Sequence, residues 1–346
     1  MTNRERFLRT LDHRPVDRLP ILEWATWWDL TVARWKEEGL GEIPEIDGLN
    51  ADEALRMHLG LDLLMQEWIP FVTPGTPRPA VHGAPIVKSL GDYERILPTL
   101  YPADQPDPKR MREMAKRSAS GEAVTWLTLD GFFWAPRTLL GIEPHLYAFY
   151  DDPELLHRIC EDLTAYYIRV LDAMFSYFAP DFMTFAEDMS YNLGPMLSKA
   201  LFDEFLLPYY KRLVPLLKER GVRVFVDTDG DVTQMAPWLQ HAGIEGVLPL
   251  ERQAGVDANR LRADYPNLLM LGHFDKMCMP RGERAMRAEF ERLLPVMRSG
   301  GFIPGVDHQT PPSVSLENYR TFLALFREYA SLAAAGTSLE AMEGKP

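Results

Sequence analysis

The chain has 346 residues, a formal net charge of −13, a sequence pI near 5.2 and 46% hydrophobic residues. That acidic balance, with no basic run anywhere, argues against nucleic acid or anionic membrane as a partner. No segment approaches about 18 uninterrupted apolar residues, the N-terminus has no apolar signal region, and Cys160 and Cys278 make no disulfide framework. A soluble, cytoplasmic protein with one large core is expected.

In chain order, Phe7, Leu8 and Leu11 have helical spacing, which the prolines of HRPVDRLP stop. Residues 18–24, ending PILEW, read as a first strand, followed by an aromatic, Pro/Gly-broken stretch with Trp24, Trp27, Trp28 and Trp35. A helix over 51–59 leads to a second strand, 61–69. The proline-rich segment 71–108, with a β-like run at 86–90, is expected to be an excursion over the mouth of the fold. Residues 123–130 (AVTWLTLD) read as a strand. A long helix then opens at Asp152, with Pro153 in its first turn and a stop at Pro180.

Strand 182–188 precedes a helix over 198–221 that Pro208 and Pro215 should kink. Next comes VRVFVDTDGD, residues 222–231: an apolar strand with Asp227, Asp229 and Asp231 at its end, then a helix closing near Gly243. Alternation places Asp227 and Asp229 on one side, while Asp231 has a capping explanation. Strands 246–252, 268–276 and 302–308 alternate with helices 257–265 and 283–298, and a last helix covers 315–333. Eight strands, mostly followed by helices, predict an α/β fold: a single (β/α)8 TIM barrel over 1–335 with an N-terminal extension and a flexible tail, 336–346. A doubly wound open sheet is the alternative, disfavoured because no GxGxxG follows a strand.

In such barrels the site lies at the C-terminal strand ends. Standing there are Glu23, Glu67, Asp130, Glu187, Asp188, Asp227, Asp229, Glu251, His273, Asp275, Asp307 and His308. Each alone has a structural explanation as a cap, a solvated charge or an ion-pair partner. Together they repel one another unless a cation or proton intervenes. A divalent metal (Zn, Mn or Fe) is one candidate, although the spacing matches no recognised metal motif. A cationic substrate is another, because Trp24, Trp27, Trp28, Trp68, Phe132, Phe133, Trp134 and Tyr191 also follow strand ends, and aromatic faces with carboxylates suit an ammonium group. His308 and His273 are the proton-transfer candidates. No GxSxG and no cysteine with a nearby base supports covalent catalysis.

Four segments, RERFLRTLDHRPVDRLPI, GPMLSKALFDEFLLPYYKRL, VFVDTDGD and GGFIPGVDHQTPPSVSLENY, together resemble the uroporphyrinogen decarboxylase-like superfamily, which includes cobalamin-associated methyltransferases. The resemblance implies the TIM barrel and leaves two reactions open. Porphyrinogen decarboxylases carry an arginine-rich segment after the first strand, where this chain reads ILEWATWWDL, and an acidic mouth disfavours a polyanion. Glu67 falls where the family's strand-two aspartate would lie, and His308 resembles its late histidine. The methyltransferases hold zinc through His-x-Cys after the fifth strand and a late cysteine, and here Asp227-x-Asp229 and Asp307 or His308 stand in those places.

The resemblance therefore implies a methyltransferase of a small methylated or cationic substrate, with a corrinoid protein or thiol as partner. Decarboxylation, by a carboxy-lyase, and a non-catalytic ligand-binding barrel are the alternatives. Asp229, His308 and Glu67 are the expected catalytic residues. Trp24, Trp28, Trp68, Phe133, Trp134, Glu187 and Tyr191 are the expected substrate-binding residues, and Asp227, Asp229, His273 and His308 the candidate ligands of zinc or another divalent metal. A homodimer is compatible with this reading.

Overall fold

The computed structural model describes the backbone of residues 1–343 and the side chains of residues 1–335. Seven of the eight expected strands form, all parallel and in chain order across one curled sheet: β1 (Leu63–Ile69), β2 (Ala123–Asp130), β3 (Phe182–Ala186), β4 (Arg223–Asp227), β5 (Gly246–Leu248), β6 (Leu269–Phe274) and β7 (Phe302–Val306). Helices connect them, the longest crossover being Pro153–Phe175, opened by the Asp152 side chain on the Leu155 amide. Unbroken neighbour order with helical crossovers is the arrangement expected of a TIM-like α/β fold.

Residues 18–24 do not form the expected strand. Pro20 has no N–H to give to a ladder, and Asp62 takes over the local bonding: its amide donates to the Ile21 carbonyl at 2.7 Å and its carboxylate accepts from the Ile21 amide at 2.9 Å. The segment still reaches both sheet edges, because Trp24 Nε1 donates to the Val306 carbonyl of β7 at 2.7 Å. The expected helix over 198–221 is broken rather than kinked. It forms Lys199–Phe205 and Leu207–Lys218, with the interruption at Leu206, while Pro215 stays inside the second helix.

The proline-rich excursion is anchored to the outer helices. Ile86 and Val87 amides donate to the Leu139 carbonyl, and the Tyr93 hydroxyl reaches Asp162 of helix Pro153–Phe175 at 3.0 Å, with Val87 and Tyr93 fully buried there. Burial of those apolar side chains holds residues 86–93 of the segment against these helices. The last helix, Leu316–Glu343, runs across the start of the expected tail 336–346, whose final residues, 344–346, lie outside the described residues. Among the described residues no helix is long and apolar enough to cross a membrane.

The two faces of the sheet are distinguished by their partners. On one, Phe185 packs on Phe132 of the turn after β2 and on Tyr210 of helix Leu207–Lys218. On the other, Trp126 stacks on Phe182, which also meets Phe7 of the N-terminal helix Asn3–Leu11, closing the lower end. Above this aromatic layer runs a buried polar chain: Gln66 Nε2 donates to Thr128 Oγ1 at 2.8 Å, Thr128 and Thr184 hydroxyls are 3.1 Å apart, and Trp126 Nε1 donates to Thr184 Oγ1 at 2.9 Å. Thr184→Val removes the acceptor of a buried indole N–H, so denaturant titration should show a loss of about 1–3 kcal/mol. An unchanged midpoint and slope would mean the chain of bonds contributes nothing.

Candidate functional site

Strand alternation decides which strand-end side chains enter the mouth. Gln66 and Trp68 lie on the inner face, where Trp68 Nε1 donates to Asp130 Oδ1 at 3.1 Å. Glu67, between them, points the other way: it meets Arg110 of the outer helix Pro108–Ala119 at 3.3 Å, and Arg110 also pairs with Glu53. The expected catalytic role of Glu67 is therefore corrected to an outer-face ion pair. Ladder register then places Asp130, Ala186 and Asp227 side by side on the inner face, with small Ala186 leaving a depression between two acids.

The turn after β4 is tightly framed. Buried Thr228 Oγ1 accepts the Met189 and Ser190 amides at 3.0 and 3.2 Å. Gly230 has φ 84, and a Cβ there would stand 2.5 Å from the Tyr191 backbone, so glycine is required twice over. Its amide donates to Glu251 Oε2 at 3.0 Å. Asp231 closes a turn onto the Thr233 amide at 2.9 Å, which accounts for the third aspartate as a local cap.

Asp227 and Asp229 are left half-buried, lining the mouth. Burial, then the charges of Asp188 and Asp229, hold the Asp227 carboxyl well above the usual range. Burial, then Glu251 and Asp188, push Asp229 up to about 7. His308 Nε2 lies 3.7 Å from Asp229 Oδ2, and burial followed by Lys276 lowers the imidazole's pKa. Both shifts favour neutral partners, so near pH 7 the proton of this pair belongs to the carboxyl rather than the imidazole.

His273 does not join them. Its Nδ1 faces the Leu250 carbonyl at 2.8 Å, its Nε2 accepts the Ala258 amide at 3.1 Å, and the ring is wholly buried with its pKa lowered to about 4. With both nitrogens engaged by backbone, it has no lone pair to give a metal. Among the described residues no three His, Cys, Asp or Glu side chains are arranged to hold a metal ion. The residues present do not fit the thiolate zinc centre implied by the resemblance: its soft ligands are replaced by carboxyl oxygens, and one expected imidazole is spent elsewhere.

The expected substrate-binding residues divide. Trp24 sets its indole edge-on to the His308 ring at 6.1 Å, and Trp28, Trp68 and Tyr191 are about half exposed (49%, 49% and 46%). Trp134 carries Arg137 over its ring at 5.1 Å. Phe133 is core instead, packed between His145 and Phe149. Glu187 is also buried: it accepts the Phe132, Phe133 and Trp134 amides and the Tyr210 hydroxyl, and a Cβ on Gly131 would overlap its carboxyl at 1.9 Å. Burial still raises it to about 7, so it pins the turn after β2 rather than meeting a ligand.

Glu23 is likewise buried and raised to about 8, and Asp275 caps a short helix. Two mouth residues had no role assigned from sequence. Asp188 takes φ 43 at the end of β3, and Lys276 Nζ contacts Asp307 Oδ1 and Gln253 Oε1, at 3.2 and 2.8 Å. Lys276 was legible as a charge at the end of strand 268–276. The backbone of Asp188 was not, because aspartate is also common in ordinary extended and turn conformations.

The family model described as uroporphyrinogen decarboxylase (URO-D) matches residues 121–329. No curated protein matches the sequence. In fold, the chain resembles a methyltransferase from Methanosarcina mazei, with TM-score 0.67 and 18% identity over 95% of this chain and 99% of that one. Weaker overlaps are a putative vitamin-B12 independent methionine synthase from Listeria monocytogenes (TM-score 0.46, 10% identity, 93% and 98% covered) and a B12-independent methionine synthase from Shewanella sp. W3-18-1 (0.41, 14%, 68% of each).

A raised carboxyl pKa binds protons in the folded state that the unfolded chain has already released, so its stabilising share falls as pH rises from the ordinary carboxylate range through about 7. Asp229→Asn should therefore melt close to wild type at pH 4.5 and several degrees higher at pH 8. A variant less stable at pH 8 would show that the Asp229 charge is compensated in the fold.

Proposed function

Because the chain belongs to the uroporphyrinogen decarboxylase family, we propose that it is an enzyme transferring a methyl group from oxygen or nitrogen of a small substrate to a corrinoid or thiol acceptor on a partner. Asp229 is the proton donor in this reading. The observation that carries it is the half-exposed Asp229 carboxyl, held near neutral pKa and facing His308 at 3.7 Å. The C–O or C–N bond breaks, the methyl group goes to the acceptor nucleophile, and the pair left on oxygen or nitrogen takes the Asp229 proton. His308 stands where it can pass a replacement proton to the resulting carboxylate. Trp24, Trp68 and Tyr191 supply apolar contact around the site, and in this reading residues 18–24 take the place of an eighth strand beside it.

The methyltransferase name of the Methanosarcina mazei protein supports methyl transfer. The acids Asp188, Asp227, Asp229 and Glu251 oppose a highly carboxylated substrate. Decarboxylation is the second reading, favoured by the same proton-holding carboxyl, which would protonate the carbanion left by departing CO2.

The test incubates the protein with methoxyaromatic and methylammonium compounds, using reduced cobalamin or a small thiol as acceptor, and follows demethylated product by mass spectrometry. Turnover should fall about 10²-fold in Asp229→Asn, and wild-type turnover should decline as pH rises through about 7. Glu67→Gln should stay within about threefold of wild type, since its side chain faces Arg110 outside the sheet. Release of CO2 from carboxylated compounds with no demethylation would establish the second reading instead.

A further inference from the structure

Three non-glycine residues at or near the C-terminal ends of β3, β5 and β6 adopt positive φ: Asp188 (43), Leu250 (62) and His273 (74). Such backbone costs free energy for any side chain with a Cβ, and persists only where surrounding contacts enforce it. For two of the three the compensation is visible. Leu250 is completely buried, and the His273 ring satisfies two backbone groups while fully buried. Asp188 is only half-buried, with its carboxyl at the mouth, so apolar burial does not offset its strain.

Its contacts all serve the site. The Asp229 amide donates toward the Asp188 carboxylate, and Arg137 Nη1 donates to its carbonyl at 3.2 Å. The residues on either side tie the same two turns together: the Glu187 amide donates to the Asp227 carbonyl at 2.8 Å, the Met189 and Ser190 amides reach Thr228, and the Ser190 hydroxyl donates to the Asp229 carbonyl at 2.6 Å. The left-handed turn at 188 lets one short segment bond back to Arg137 after β2 and forward to the Asp229 turn after β4.

We propose that Asp188 is a positioning residue that orients Asp229, its strained backbone retained for that purpose rather than for folding. The proposal rests on the placement of Asp229 in the reading above, and its test is chosen to be independent of any substrate. Asp188→Gly relieves the backbone and removes the acceptor, whereas Asp188→Asn keeps an acceptor oxygen and tolerates positive φ.

Hydrogen exchange of the 227–231 amides and thermal melting are measured on wild type and both variants. In Asp188→Gly the melting temperature should stay equal or rise by a few degrees, while exchange at Asp229 accelerates at least tenfold. Asp188→Asn should remain within about threefold of wild-type exchange. Where turnover has been found, kcat should fall at least tenfold in the glycine variant with KM changed less than threefold, and be largely restored in the asparagine variant. Unchanged exchange in Asp188→Gly would overturn the proposal, and so would a fall in melting temperature of more than about 5 °C, which marks an ordinary structural residue. Absence of turnover in wild type bears on the methyl-transfer reading alone, since the exchange comparison decides the role of Asp188 by itself.

Discussion

Carboxyl groups crowded into a half-dry mouth cannot all be charged. Asp188, Asp227, Asp229 and Glu251 come from the ends of three neighbouring strands, and among the described residues Lys276 acts on Asp229 and Arg137 on Asp188 with opposing positive charge. Asp307 already engages Lys276, at 3.2 Å. Desolvation and like charge act in the same direction on Asp227 and Asp229, raising both. Both effects favour the protonated form of these two carboxyls.

The scaffold makes this crowding possible by fixing backbone rather than side chains. Thr228, Ser190 and Glu187 are buried and bonded to amides or carbonyls of adjacent turns, so the mouth acids are free to face inward. Glu187 shows the distinction well. It is an acid at a strand end, like Asp229, yet three amides and a hydroxyl surround it, and its work is to hold the turn leading into the helix that carries Trp134 and Arg137. Acidity and position are alike in the two residues, and their neighbours assign different tasks.

Much of the scaffold was legible in the sequence. Seven strands lie close to where apolar runs and flanking turn residues indicate, and Asp152 with Pro153 marks its helix correctly. Residues 18–24 were misleading because PILEW has strand composition while Pro20 and Asp62 divert its hydrogen bonds. Leu206, just ahead of Pro208, turned an expected kink into a break. The site was legible as a set of residue types and less so as directions. Glu67 needed the parity of β1, fixed by Gln66 and Trp68 reaching the inner face. His273 needed φ 74, which swings its ring onto the Leu250 carbonyl and the Ala258 amide. Phe133 had the composition of an aromatic rim and the environment of a core. The directions of His273 and Phe133 are not encoded in spacing, since each depends on contacts far away in sequence.

The central claim is that Asp229 carries a proton near neutrality. It is tested most directly by titrating the side-chain carboxyl resonances of 13C-aspartate-labelled protein, with Asp229→Asn to assign the signal. A midpoint near pH 7 for Asp229 is the expected result. A midpoint near 4, the ordinary carboxylate value, would mean the mouth is anionic at neutral pH and would contradict the account.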